Sequence, residues 1–312
     1  MPRFGPTAEC ACLKAGDYGP DEVVPALAAL RNECNALSVV LAPDDSWSAI
    51  VADANTPNAA AHRSYLLLAL QRGCLDRVTR PVHRFLMSGQ EVRADLTNQY
   101  RQDLRERWLL KGDEMERHRR FRQFFGKIVE LQVVQWLTDL GWIVTNLEAL
   151  GHSCDIAAES PDGLSFSIEV KYLGQMDDDF RLVLESMRGN QKAGWFGPYG
   201  AINYVLFRAY EVAVRLRAEQ GRKMAILVID AQTWPFVELP LSNGWLDWKQ
   251  PKFLRTEEQD WNQFLESKRR SNYPAIDTEL TELVKSLDRV WIAMLGNRFS
   301  YTLEHEIKMD TR

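Results

Sequence analysis

Hydrophobic positions recur with two different periods along this chain, and the switch between them picks out its middle. From Asp113 onward Phe121, Phe124, Phe125, Ile128, Val129, Val133, Trp136, Leu137 and Leu140 follow a three-to-four spacing, which predicts one long helix ended by Gly141. The pattern then shortens. Segments 142–150 (WIVTNLEAL), 154–159 (CDIAAE) and 164–173 (LSFSIEVKYL) read as strands, and Pro161-Asp162-Gly163 between the last two predicts a hairpin turn. A polar stretch follows, 203–221 returns to helical spacing, and MAILVID (224–230) reads as a buried strand. The expected order is helix, three strands, helix, strand.

On either side the pattern is less regular. Residues 1–112 read as a mainly helical N-terminal region with no chemical motif, after a lead-in rich in Gly and Pro. Residues 113–235 form the expected core, and 236–312 a mixed C-terminal extension packed on it. Within the extension FVELPL extends the sheet, EEQDWNQFLESKRR and DTELTELVKSLD read as helices, and RVWIAML with RFSYTLEH as a late pair of strands.

Composition narrows the class without deciding it. With 46% hydrophobic and 26% charged residues in 312, the chain is an ordinary folded protein with material for a sizeable core. No apolar run reaches the roughly 20 residues that cross a bilayer, and the first residues lack the apolar centre of a signal peptide, so the expected location is the cytoplasm, away from membranes. Five scattered cysteines argue for reduced thiols over a disulfide framework or a zinc site. The net charge of -5 does not announce a nucleic-acid partner, although a local basic face would suffice for one.

The candidate chemistry lies in the predicted hairpin. Glu169 and Lys171 are two apart on one strand and so project from the same face, while Asp155 opens the other arm. A strand near a sheet centre has both faces covered, so charges there call for a reason. Magnesium takes hard oxygen ligands and needs only one or two carboxylates, which Asp155 and Glu169 supply, with the Val170 carbonyl as a further ligand. Lys171 would orient or deprotonate an attacking water, or stabilise developing charge. Glu130 lies on the preceding helix.

The stretch SCDIAAESPDGLSFSIEVKYL resembles the signature of the PD-(D/E)xK phosphodiesterase superfamily, the restriction-endonuclease-like nucleases. Ser153-Cys154-Asp155 stands at the Pro-Asp position and keeps only the acid, Ile168-Glu169-Val170-Lys171 matches the second half, and Glu130 resembles the acid that many members carry on the helix before the sheet. The resemblance covers residues from about 114 to 230. It implies an α/β fold with a restriction-endonuclease-like core, a mixed central sheet flanked by helices. It further implies a Mg2+- or Mn2+-dependent nuclease acting on DNA, in restriction, anti-phage defence or repair. Asp155 and Glu169 would then hold metal, Glu130 would assist through a second metal or a water, and Lys171 would serve the nucleophile.

Further candidates concern nucleic acid. Arg117, Arg119, Arg120 and Arg122 start the motif helix, Lys268-Arg269-Arg270 form a second basic run, and both are candidates for phosphate contacts. Gln191 and Lys192 fall where related nucleases place an extra polar site residue. No P-loop, GxSxG, GxGxxG or HExxH occurs, so a helicase or ATPase would be a separate partner; a homodimer is the other assembly considered. The competing expectation is a binding or assembly module that keeps the nuclease fold and is silent, or cuts only with a partner.

Overall fold

The structure, a computed structural model, describes residues 114–148, 153–173, 197–230, 244, 246–295 and 301–309. The expectations for residues 1–112, for FVELPL and for Gln191 and Lys192 lie outside them. The chain divides into two compact units, the first containing residues up to His152 and Asn297–Ser300, the second Ser153–Gly296 and Tyr301–Arg312.

In the first unit the long helical pattern becomes α1 (Glu114–Asp139), followed by β1 (Ile143–Leu147). Ile128, Val129, Val133 and Leu137 are buried along it as the three-to-four spacing required, whereas Leu140, expected on the same stripe, lies past the helix end and is exposed. Its end is chemical as well as geometric. Gly141 takes φ 84, a left-handed conformation that side chains resist, and this lets the Trp142 N–H donate back to the Leu137 carbonyl at 2.9 Å.

The second unit is an α/β layer structure around one mixed sheet. Its strands are β2 (Ile156–Glu159), β3 (Ser165–Leu173), β4 (Arg222–Asp230), β5 (Arg289–Leu295) and β6 (Tyr301–Lys308). Neighbours in that order pair antiparallel, parallel, parallel and antiparallel. The β2–β3 hairpin turns through Pro161-Asp162-Gly163, where Gly163 at φ 76 fills the left-handed position, and the Ser160 N–H donates to the Leu164 carbonyl at 2.9 Å. The expected late strands are β5 and β6, and they continue the sheet that contains β4.

Helix α2 (Pro198–Arg215) connects β3 to β4, and its sequence explains its place. It is apolar nearly all round: Ala201, Ile202, Val205, Leu206, Phe207, Ala209, Val212 and Ala213 are all fully buried or within one per cent of it. It packs on β3 and β4 and also touches α3 (Gln259–Ser271) and α4 (Ile276–Lys285). Two polar contacts fix it. The side-chain amide of Asn203 donates to the Leu254 carbonyl at 3.0 Å and accepts from the Leu254 N–H at 2.7 Å. The Gly200 N–H in the first turn donates to Glu258 Oε2 at 2.7 Å, which satisfies one of the orphan donors of a helix start. Pro198 at the first position costs that turn nothing, since its missing N–H would be an orphan anyway.

Register then decides which side chains face α2. Glu169, Lys171 and Leu173 lie opposite Ala225, Leu227 and Ile229 of β4, and the last three with Leu173 belong to the core shared with α2. Glu169 and Lys171 therefore stand on the helix-covered face. Ile168, Val170, Met224 and Ile226 alternate to the other face and are buried too, so β3 and β4 are covered on both sides, as parallel neighbours usually are. Among the described residues no helix is long and apolar enough to cross a membrane.

Candidate functional site

A buried carboxylate pair forms where the hairpin meets the end of α2. Ile156 pairs with Ile168 in the antiparallel register, so Asp155, one step before the strand, comes opposite Glu169. Both are buried, Asp155 at 5% exposure and Glu169 at 0%. Asp155 substitutes for the ladder at this point: its Oδ2 accepts the Val170 N–H at 2.8 Å, a hydrogen bond that fixes the carboxylate to the strand carrying Glu169. In an extended strand a residue's N–H and C=O point the same way, so the Val170 carbonyl also points to the edge where Asp155 stands.

Two cations balance the pair. Lys171, on the same strand face as Glu169, donates from Nζ to Glu169 Oε2 at 3.1 Å. The second is Arg215, from the last turn of α2, with Nε 2.7 Å from Glu169 Oε1 and Nη2 3.7 Å from Asp155 Oδ1. The contact with Oε1 is short, but that oxygen has no hydrogen-bond partner, so Arg215 meets it as a charge with its N–H out of line. Of the four residues expected from sequence to form one site, Asp155, Glu169 and Lys171 are thus brought together by the second unit alone, and Glu130 belongs to the first.

The electrostatics follow from burial. Glu169 is pushed up to about 7, first because burial penalises its charge and second because Asp155 is a like charge beside it; Lys171 and Arg215 pull the other way and do not prevail. The neighbouring Cys154 thiol, which donates to the Ile156 carbonyl at 3.2 Å, is raised by burial as well, which marks it as an inert structural thiol. Two buried carboxyl groups whose protonation is tied together are costly for a fold to keep, and such clusters concentrate at functional sites.

The other candidates stand as follows. Glu130 belongs to the first unit, where Lys127 donates to it and to Glu148, each at 2.8 Å. Burial opposes the Lys127 charge, but Glu130 and then Glu148 outweigh it and hold its pKa above the ordinary lysine value. Arg117, Arg119, Arg120 and Arg122 lie along the first turns of α1, and their side chains lie outside the described residues. Lys268, Arg269 and Arg270 stand in the last turn of α3, the first two half-buried and Arg270 exposed, and each has a partner already. Arg269 grips Asp277 through two hydrogen bonds of 2.7 and 2.8 Å, Arg270 pairs with Glu266 at 2.9 Å, and Lys268 lies over the Phe264 ring.

Arg215 is the site residue that sequence reasoning passed over. As a basic residue in the last turn of an apolar helix it reads as a favourable partner of the helix dipole. The signal that would have found it is topological. A helix linking two parallel strands runs back over the sheet, so its C-terminal turn returns to the strand that preceded it. Comparison of the chain with family models, with curated proteins and with solved structures finds no match in any of the three.

Proposed function

We propose that this chain is a metal-dependent nuclease that hydrolyses phosphodiester bonds, with DNA as substrate. The observation that carries the reading is the buried Asp155–Glu169 pair with Lys171 on the same strand face as Glu169, in the order helix, three strands, helix, strand that the PD-(D/E)xK resemblance implies. The absence of matches to known proteins leaves this reading on the residues themselves.

The donor set fits a hard divalent ion such as Mg2+ or Mn2+. Asp155 and Glu169 offer carboxylate oxygens from adjoining strands and the Val170 carbonyl points to the same edge, so these three would hold it. A bound ion would supply Lewis acidity toward a phosphodiester oxygen and lower the pKa of water. The chain's own residues do the rest. The Val170 N–H keeps Asp155 in place, Lys171 brings a positive charge to the Glu169 carboxylate and is placed to orient a water or meet developing negative charge, and α2 keeps bulk water from that face of the sheet.

The test is cleavage of single- and double-stranded DNA and of RNA with and without Mg2+ or Mn2+. Divalent-dependent cleavage lost in Lys171→Ala is the expected result; no cleavage of any form by the wild type, with the variant indistinguishable, would overturn the reading. A second reading has its own observation. Arg215 and Lys171 give the two carboxylates a cation each, a cluster that needs no ion, which favours a silent module or one that cuts only with a partner protein. A silent module leaves the melting temperature of the wild type unmoved by Mn2+, whereas a metal site raises it in the wild type and not in Asp155→Ala, and a bound ion without cleavage points to a missing partner.

A further inference from the structure

We infer that Arg215 is a displaceable cation, which holds the Asp155–Glu169 pair in the resting chain and is exchanged for a divalent ion when one binds. The inference rests on the metal reading above and adds a regulator to that site.

The division of oxygens supports it. Asp155 Oδ2 is taken by the Val170 N–H and Glu169 Oε2 by Lys171, while Arg215 faces the remaining oxygen of each, Oδ1 at 3.7 Å and Oε1 at 2.7 Å. These are the two oxygens that neither the Val170 N–H nor Lys171 occupies. The guanidinium therefore stands where a second cation would have to enter, and the two compete for the same charge.

At the pair itself Arg215 is the less firmly held of the two cations. Its contact with Oε1 is a charge contact with no aligned hydrogen bond, and the other lies beyond hydrogen-bond reach. Its side chain is 41% exposed at the end of α2, so a rotation of the long stem carries the head into water. Lys171 differs on each count. It donates a hydrogen bond, is 23% exposed, and is anchored two residues from Glu169 on a central strand. Charge counting gives the same direction. With both carboxylates ionised, as metal binding would require, Lys171 and Arg215 already balance them, and a divalent ion added without a departure would leave a surplus of two positive charges in a buried site.

The experiment measures Mn2+ binding to the full chain, by the loss of the free-ion paramagnetic resonance signal, in the wild type, Arg215→Gln, Arg215→Lys and Asp155→Asn. Removing the competing charge should tighten Mn2+ binding by at least ~10-fold in Arg215→Gln, and enlarge the Mn2+-induced rise in melting temperature while lowering the melting temperature without metal. Arg215→Lys, with a shorter reach and no fork, should tighten it by a smaller factor, and it carries the test if the glutamine variant does not fold. Asp155→Asn should abolish the binding. Equal or weaker affinity in the arginine variants overturns the exchange and leaves the metal reading standing. Absence of Mn2+ binding in the wild type and in every variant overturns both, because nothing would then compete with Arg215.

Discussion

The sheet of the second unit carries the same three-residue pattern twice, Glu169-Val170-Lys171 on β3 and Glu306-Ile307-Lys308 on β6. On β6 the acid and the lysine are 33% and 68% exposed and stand 3.9 Å apart, on a strand that pairs with β5 alone among the described residues. On β3 they are 0% and 23% exposed and 3.1 Å apart, under a helix, with a second carboxylate and an arginine in contact. On β6 the pattern is the solvated face of an edge strand, where charges also discourage pairing with other chains. On β3 it is a set of groups desolvated together. Position in the sheet, set by the chain's connectivity, separates the two.

The largest expected difference between them is in activity. Lys171→Ala and Asp155→Ala should each lower divalent-dependent cleavage by ~10²-fold or more, the usual size of losing a positioned proton-transfer or charge-stabilising group, while Lys308→Ala leaves it unchanged. Rates on one DNA substrate at saturating Mg2+ decide it. Equal losses at Lys171 and Lys308 would erase the distinction between the strands.

Next in size is a pH effect confined to β3. Glu169 rises from 4.5 to about 7 in the folded chain, so between those values the fold keeps a proton that the unfolded chain has released. Stability contributed by this group is therefore full at the acid end of the window, falls as pH rises through it, and levels off above about 7. Glu169→Gln, which cannot ionise, should remove that slope. The variant should gain on the wild type by up to roughly 3 kcal/mol between pH 5 and 8, read from denaturant melts without divalent ions. A constant offset between the two across that range would mean that Glu169 titrates normally.

Why the site was partly legible follows from what each signal encodes. The stripe from Ile128 to Leu137, the hairpin turn at Pro161-Asp162-Gly163 and the apolar run MAILVID are local patterns, and local periodicity reports local structure directly. Glu169 and Lys171 share a face by strand geometry alone, and Asp155 follows through the hairpin. Arg215 is 46 positions beyond Glu169, and only the return of α2 over β3 joins them. The same limit hides from the sequence that Arg269 and Arg270 have acidic partners. Glu266 and Asp277, their partners, meet them through the turn of α3 and the approach of α4. The restriction-endonuclease-like character of the core stays with the proposal; the α/β class, the mixed sheet and the helices packed on it are what the fold displays.

A smaller effect tests the bond that ties Asp155 to β3. Asp155→Ala leaves the Val170 N–H buried without its acceptor, so it should lower stability by about 1–3 kcal/mol even with no metal present. Asp155→Asn retains an acceptor oxygen and should lose less. The pair of melts separates the hydrogen bond from the charge, and equal losses would assign the whole effect to charge.

The smallest expected change closes the comparison at β6. Lys308→Ala gives up an exposed ion pair at 3.9 Å, of a kind worth about 0–1 kcal/mol, and at the same time removes a like charge from the position across the ladder, since Lys308 pairs with Arg289. The two terms oppose each other, and salt screens both. Stability should therefore stay within about 0.5 kcal/mol of the wild type at low salt and move closer still at 0.5 M. A loss of 2 kcal/mol or more, on the scale of the changes expected on β3, would mean that the β6 pattern also has a structural task that its exposure does not reveal.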